Sequence, residues 1–169
     1  FNTAVGYNTG LSITTGTLNT LLGGEAGDAL TTGSENIAMG YGALGAETTG
    51  TKNVAIGSEA LKTLDQQGNG DNVAIGHNAG KSATSASQLA IIGSLAGDAI
   101  TTGAGNTALG YAALSTETAG RRNVAVGAEA LLRANQSSTV NSYNIAVGYQ
   151  AGDHVTTGVQ NVIIGGQAG

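Results

Sequence analysis

The sequence is short of most residues on which a globular protein relies. It has no Cys, no Pro and no Trp, a single Phe, and only 10% charged residues. Without Cys, disulfide staples and thiolate metal sites are excluded. Aromatics at 4% cannot fill a wide core, so any interior must be narrow and lined by Ala, Val, Ile and Leu. Six Lys and Arg against 11 Asp and Glu give a net charge of −5, and the six are scattered. No basic stripe forms, so nucleic acid is not an expected partner. No secretory signal is evident, and no apolar run is long enough to span a bilayer, so membrane insertion of this segment is not expected.

What is present is Gly, at 29 of 169 residues, with 40% apolar content in strict register. That register is unlike the low-hydrophobicity signature of disorder, and the Gly lacks the every-third-residue period of collagen. The stretch Asn53-Val54-Ala55-Ile56-Gly57 is one of ten similar copies, beginning at positions 2, 19, 36, 53, 72, 89, 106, 123, 144 and 161. Nine open with Asn, the exception being Leu89, and all close with Gly. A fixed period of this length means one short structural unit stacked on itself.

Each repeat is numbered here from its Asn as position 1. Position 2 is mostly β-branched, position 3 is Ala in seven copies, and position 4 is always aliphatic or Met. Alternate residues of a strand face opposite sides. The unit therefore reads as a strand with one fully apolar side and one small-residue side. The apolar side is expected to form the core, placing Val5, Leu22, Met39, Ile56, Ile75, Ile92, Leu109, Val126, Val147 and Ile164 inward. The Gly at position 5 ends the strand. Position 12 is often apolar and precedes Thr-Thr-Gly, which predicts a second strand and turn. Glu129–Ala134 has helical propensity, but register with the other coils outweighs it.

Two strands and two turns in 17 residues predict one coil of an all-β parallel solenoid. Coils would sit ~4.8 Å apart, and ten make a rod roughly 45 Å long. Residues 1–169 form a single solenoid region, opening and closing part-way through a repeat, and are expected to be a piece of a longer fibrous chain. Stacked Asn side chains are expected to form a ladder along the axis. Two coils are longer, with extra residues in Asp65–Asp71 and Asn135–Tyr143, where solenoid insertions map to loops on one face. A longer period overlies the first, with four-coil units at 19–88 and 89–160. Position 9 reads Gly, Gly, Leu, Leu, and position 3 is bulky only at Leu21, Ile91 and Ile163. This variation is expected to set register between copies of the rod, hence self-association.

The NVAIG, NIAVG and NTALG units resemble the repeats in YadA-like heads of trimeric autotransporter adhesins, in which an Asn-Ser-Val-Ala-Ile-Gly type motif recurs. They are also similar to the NTAIGYxA…TTG repeats of phage tail-fibre and related surface proteins. The resemblance covers essentially the whole chain. It implies a left-handed parallel β-roll, three chains side by side as a homotrimer, and an extracellular place on a virion tail fibre or bacterial cell surface. It implies no chemistry. The period here is slightly longer than in the adhesin heads, and position 2 is often Thr, Val or Ile where Ser would precede Val. The expected role is a rod in an extracellular fibre that presents binding tips; the alternatives are that the segment is itself an adhesive head, through its long loops, or a subunit that polymerises end to end. The choice between bacterial adhesin and viral fibre stays open.

No nucleophile, base and orienting group recur together, so no catalytic residues and no cofactor are expected. Gly76–Ser82 is one residue short of a phosphate-binding loop. His77 and His154 occupy different coil positions with no carboxylate at ligand spacing, so no metal site is expected. The Gly-Asp steps at Asp28, Asp98 and Asp153 lack the nonapeptide of calcium-binding coils. Glu47 and Glu117 stand at position 12, with two readings: Glu tilts outward while Leu44 and Leu114 fill the core, or symmetry copies make a carboxylate ring. Tyr7, Tyr41, Tyr111 and Tyr149 share position 6 and either cover small residues or form a shallow sugar-binding surface. The candidate binding loops carry Asp65, Gln66, Gln67, Asn69, Asp71, Asn135, Gln136, Asn141 and Tyr143, with a host-surface receptor or glycan as the possible partner.

Overall fold

A computed structural model describes residues 1–169 and contains no helix. It holds ten three-residue strands: β1 (Thr3–Val5), β2 (Thr20–Leu22), β3 (Ile37–Met39), β4 (Val54–Ile56), β5 (Val73–Ile75), β6 (Ala90–Ile92), β7 (Thr107–Leu109), β8 (Val124–Val126), β9 (Ile145–Val147) and β10 (Val162–Ile164). They form one sheet in sequence order. Every pair is parallel and in register, as in Val54↔Val73, Ala55↔Ala74 and Ile56↔Ile75. Parallel neighbours one coil apart mean that each coil wraps once and returns to lie on its predecessor. The chain is a ten-coil parallel β-solenoid.

The second strand expected near position 12 does not form, because that segment turns too sharply to run extended. It is nonetheless stacked. Thr31 O accepts the N–H groups of Thr14, Thr15 and Gly16, and Thr48 O accepts those of Thr31, Thr32 and Gly33. One carbonyl thus gathers three donors from the coil below, a bend that Thr-Thr-Gly permits and a straight ladder does not. Glu129–Ala134 is a turn, as register required.

The inward face of the strands is the opposite of the one expected. Position 3 is sealed: Leu21, Ala38, Ala55, Ala74, Ile91, Ala108, Ala125 and Ala146 are fully buried. Of the residues expected inside, Val5, Leu22, Ile92, Leu109, Val147 and Ile164 are exposed, and Met39, Ile56, Ile75 and Val126 are half-buried on the same outer face. The physical reason is width. Position 3 shares the interior with the Ala of position 8 and the residues of positions 9 and 12, such as Ala26 and Leu30. That lumen admits one column of small residues from the sheet, and not the two larger columns at positions 2 and 4.

The four-coil period is then explained inside the chain. The bulky residues at position 3 fill space left by Gly at position 9. A Cβ on Gly27 would lie 3.0 Å from Leu21 Cδ2, and one on Gly97 would lie 3.1 Å from Ile91 Cδ1. Where position 3 is Ala, Leu44, Leu61, Leu114 or Leu131 takes that volume from across the core. In the fifth and ninth coils both positions are small, and side chains of the adjacent coils reach in: a Cβ on Gly80 would lie 3.0 Å from Leu61 Cδ2, and one on Gly152 2.9 Å from Ile163 Cδ1. The variation is therefore used in packing the interior of the single chain.

Two features lock the stack. The corner Gly at position 5 has φ of +129° to +140°, and a Cβ on Gly40 would lie 2.6 Å from Gly57 O. No side chain fits there at this coil spacing. The Asn at position 1 is buried in most coils. Its ladder is mixed: Asn36, Asn72 and Asn161 donate amide to amide to Asn19, Asn53 and Asn144, and the other links run between amide and backbone. Asn36 Oδ1 accepts the backbone N–H of Asn53 at 2.9 Å, while Asn36 Nδ2 donates to Gly50 O of its own coil at 2.9 Å. Asn carries its acceptor and its donor on separate atoms, so it can offer one upward and the other across. Leu89 N–H donates to Asn72 Oδ1 at 3.0 Å, but Leu89 has no side-chain oxygen to offer the next coil.

Candidate functional site

Three surface features stand out from the repeating pattern: the outer sheet face, the two long coils and a groove. On the outer face, positions 2 and 4 of ten strands set two columns side by side along the rod: position 4 is aliphatic or Met throughout, and position 2 is aliphatic except at Thr3, Thr20 and Thr107. Their alignment follows from the in-register pairing, which stacks Met39 on Ile56 and Ile56 on Ile75.

Each long coil leaves the stack at the Thr-Thr-Gly bend. The bend beneath it therefore loses the carbonyl that would gather its N–H groups. Glu47 and Glu117 replace it. Glu47 Oε1 accepts from Thr49 N–H at 3.2 Å and Gly50 N–H at 2.6 Å, and Oε2 accepts from Gln66 N–H at 3.1 Å. Glu117 Oε1 accepts from Thr118, Ala119, Gly120 and Gln136 N–H groups at 2.8–3.2 Å. Both Glu residues are fully buried, so neither the outward tilt nor a carboxylate ring between chains describes them. Burial pushes the Glu47 carboxyl above its ordinary 4.5, against the lowering effect of its backbone donors, with Asp65 adding a small push in the same direction.

The loops that follow are tied down. Asp65 Oδ1 accepts from the Thr48 hydroxyl at 2.7 Å, Asn69 Oδ1 from the Thr51 hydroxyl at 2.8 Å, and Gln66 Nε2 donates to Asn69 O. In the second loop Asn135 Oδ1 accepts from the Thr118 hydroxyl, Gln136 Nε2 donates to Thr157 O, and Asn141 bridges to Arg121. Arg122 donates to the Tyr143 hydroxyl at 2.8 Å. Gln67 and Asp71 stay exposed, whereas Gln136 is buried. The two loops leave corresponding corners four coils apart, roughly 19 Å on the ~4.8 Å spacing, and no hydrogen bond joins them.

The groove was not visible as a motif. It holds about 290 Å³ and is lined by Glu25, Asp28, Gly42, Gly45, Ala46, Lys62 and Thr63. Above it Glu59 pairs with Lys62 and Lys81, each at 2.6 Å, and these hold the Glu59 carboxyl down at about 2. The Glu25 carboxylate beside the Tyr41 hydroxyl raises that phenol above its ordinary 10.0, first by hydrogen bonding and then by charge. The Tyr41 ring itself lies against Gly24, 3.6 Å from where a Cβ would stand, and so covers a small residue of the coil below. The signal that could have located the groove is a pair of gaps: Gly42 and Gly45 are the sole Gly residues in the position-7 and position-10 columns.

The remaining candidates stay apart. His77 is exposed, and His154 Nδ1 sits 2.7 Å from Asp153 Oδ1 on the surface. No three His, Asp or Glu side chains gather as a metal cluster. Gly76–Ser82 follows the ordinary coil path, with Gly80 against Leu61 and Ala74. No helix is long and apolar enough to cross a membrane. No protein-family model, curated protein or solved structure matches the chain.

Proposed function

We propose that this solenoid is a structural rod of a trimeric extracellular fibre or adhesin, of phage tail-fibre or bacterial-surface type, that holds binding tips away from the surface bearing it. The observation that carries the reading is the apolar outer sheet face, where Leu22, Ile92, Leu109 and Val147 are exposed in line with half-buried Met39, Ile56 and Ile75. Contiguous apolar surface of that length marks an interaction site. A straight, regular strip suits a second and third copy laid alongside in the same direction, as the resemblance to adhesin and tail-fibre repeats implies. Side-by-side association would cover the strip along its whole length, and three chains would present three tips at once and raise avidity. The pinned loops favour a second reading, in which this segment is itself an adhesive head, because a loop already held in shape loses little freedom on binding.

The mass of the native particle tests the first reading. About three times the 16.4 kDa chain mass supports the side-by-side trimer. A monomer, with the outer face open to solvent, would overturn it. Replacing both long loops by 17-residue coils tests the second: a shaft keeps its host binding, and an adhesive head loses it.

A further inference from the structure

The groove on the first four-coil unit is built by subtraction. Position 7 carries a side chain in every coil except the third, where Gly42 stands, and position 10 does so in the first nine coils except the third, where Gly45 stands. Nothing lies within 4 Å of a Cβ placed on Gly42. Two adjacent side-chain columns therefore miss the same rung, and the gap between the second and fourth coils is about 9.6 Å, two steps of ~4.8 Å.

The walls of the gap carry mixed polarity. Below are the carboxylates of Glu25 and Asp28, neither of which forms an ion pair. Asp28 Oδ1 lies 3.5 Å from the Cβ position of Gly45, directly under the vacant rung. Above is the Lys62 ammonium. The second unit shows the same coils filled. The places of Glu25, Gly42, Gly45 and Lys62 are taken there by Leu95, Ala112, Ser115 and Leu132, and no groove opens.

We propose that this groove is a binding site for a single neutral or amino-bearing sugar residue. The lining offers the carboxylate acceptors of Glu25 and Asp28 on one wall and the Lys62 ammonium as a donor on the other. A ring bearing several hydroxyls, each both donor and acceptor, can satisfy both walls at once. Three carboxylates, Glu25, Asp28 and Glu59, stand against two ammonium groups, Lys62 and Lys81. That balance disfavours uronates, sialic acids and phosphorylated sugars. The accessible lining is mostly carbon, with the charged groups at its edges, so the groove can take the C–H face of one ring while its hydroxyls meet the charges. A shallow groove of this kind holds one ring weakly, and useful affinity would come from repetition of the ligand and of the chain. The groove lies within one chain, so the site does not depend on the association proposed above.

Saturation-transfer difference NMR on the intact native protein tests the site, with D-galactose, D-mannose, N-acetyl-D-glucosamine and D-glucosamine as probes and N-acetyl-arginine amide as a competing probe. One or more of the sugars should show transfer. Gly42→Ala with Gly45→Ser, the residues that the matching coil already accommodates, should abolish it with an unchanged melting transition, and Glu25→Leu should weaken it at least several-fold. No transfer from any of the four sugars overturns the proposal. So does transfer that survives the double substitution, or transfer from the arginine probe alone, which would mark a peptide side-chain site.

Discussion

Within each strand, neighbouring residues of similar chemistry do opposite work. Ala55 is sealed between Ala38 and Ala74 in the lumen. Val54 and Ile56, which carry far more apolar surface, face out and remain half-buried. The larger side chains would each add more hydrophobic free energy if buried, yet the smaller one is inside, because a coil of 17 residues encloses a lumen only a few side chains wide. What is buried within the chain is set by fit, and what is left outside is a surplus of apolar surface that a lone chain does not use. The contrast separates residues that hold the rod together from residues that would hold rods to one another.

The sharpest way to break the contrast is to charge the sealed column. Ala55→Asp would place an unpaired carboxylate among Ala38, Ala74 and the facing core, at a cost of several kcal/mol. The expected outcome is loss of the cooperative urea transition. The same charge one residue along, Ile56→Asp, should leave the fold within about 1 kcal/mol, since the new carboxylate faces solvent in the single chain. Its effect should appear in the mass of the native particle, which falls to that of one chain. If instead Ile56→Asp unfolds the chain at concentrations where it is already monomeric, the outward assignment of position 4 is wrong.

An intermediate effect is expected at position 12, where the sealed column turns polar. Glu47→Ala strands the N–H groups of Thr49, Gly50 and Gln66 around a seat that the fully buried Glu47 side chain had filled. Each buried donor left unpaired costs about 1–3 kcal/mol before relaxation, so a total loss of roughly 2–4 kcal/mol is expected by chemical denaturation. Faster amide exchange at Gly50 and Gln66 than at Thr32 and Gly33, whose acceptor is a main-chain carbonyl, would assign the loss to this seat.

The repeat, the parallel stack and the coil length were legible in the sequence because one motif recurs ten times and the insertions fall at one point. The direction of the strand was not. Alternation states that positions 2 and 4 share a face, and only the width of the lumen states which face that is. The four-coil pattern was legible as a pattern but its meaning was not, since Leu21 and Gly27 look unrelated until the coil brings them together across the core. Glu47 and Glu117 were conspicuous as charges in an apolar column. Their role needed the knowledge that the next coil departs at the same height and takes its carbonyl away. Gly42 and Gly45 were hidden among 29 Gly residues, and only the columns they interrupt distinguish them.

The smallest expected effect concerns pH and sharpens the same contrast between sealed and open positions. The Glu47 carboxyl titrates above its ordinary 4.5 because burial disfavours the charged form more than its backbone donors favour it. The folded state therefore binds a proton more tightly than the unfolded chain. This contribution to stability is fully present below about 4.5 and declines as pH rises through the higher folded value. Asp98, also raised by burial, adds to the slope in the same direction. Comparing two proteins isolates Glu47: Glu47→Gln removes the proton while keeping one carbonyl oxygen for Gly50. The variant should be less stable than the parent throughout, since the Gln66 N–H loses its carboxylate oxygen. The gap between the two should narrow as pH rises from 4 to 7, because only the parent loses a proton in that window. A gap that widens instead would mean that the three backbone donors outweigh burial and hold the carboxyl below its ordinary value.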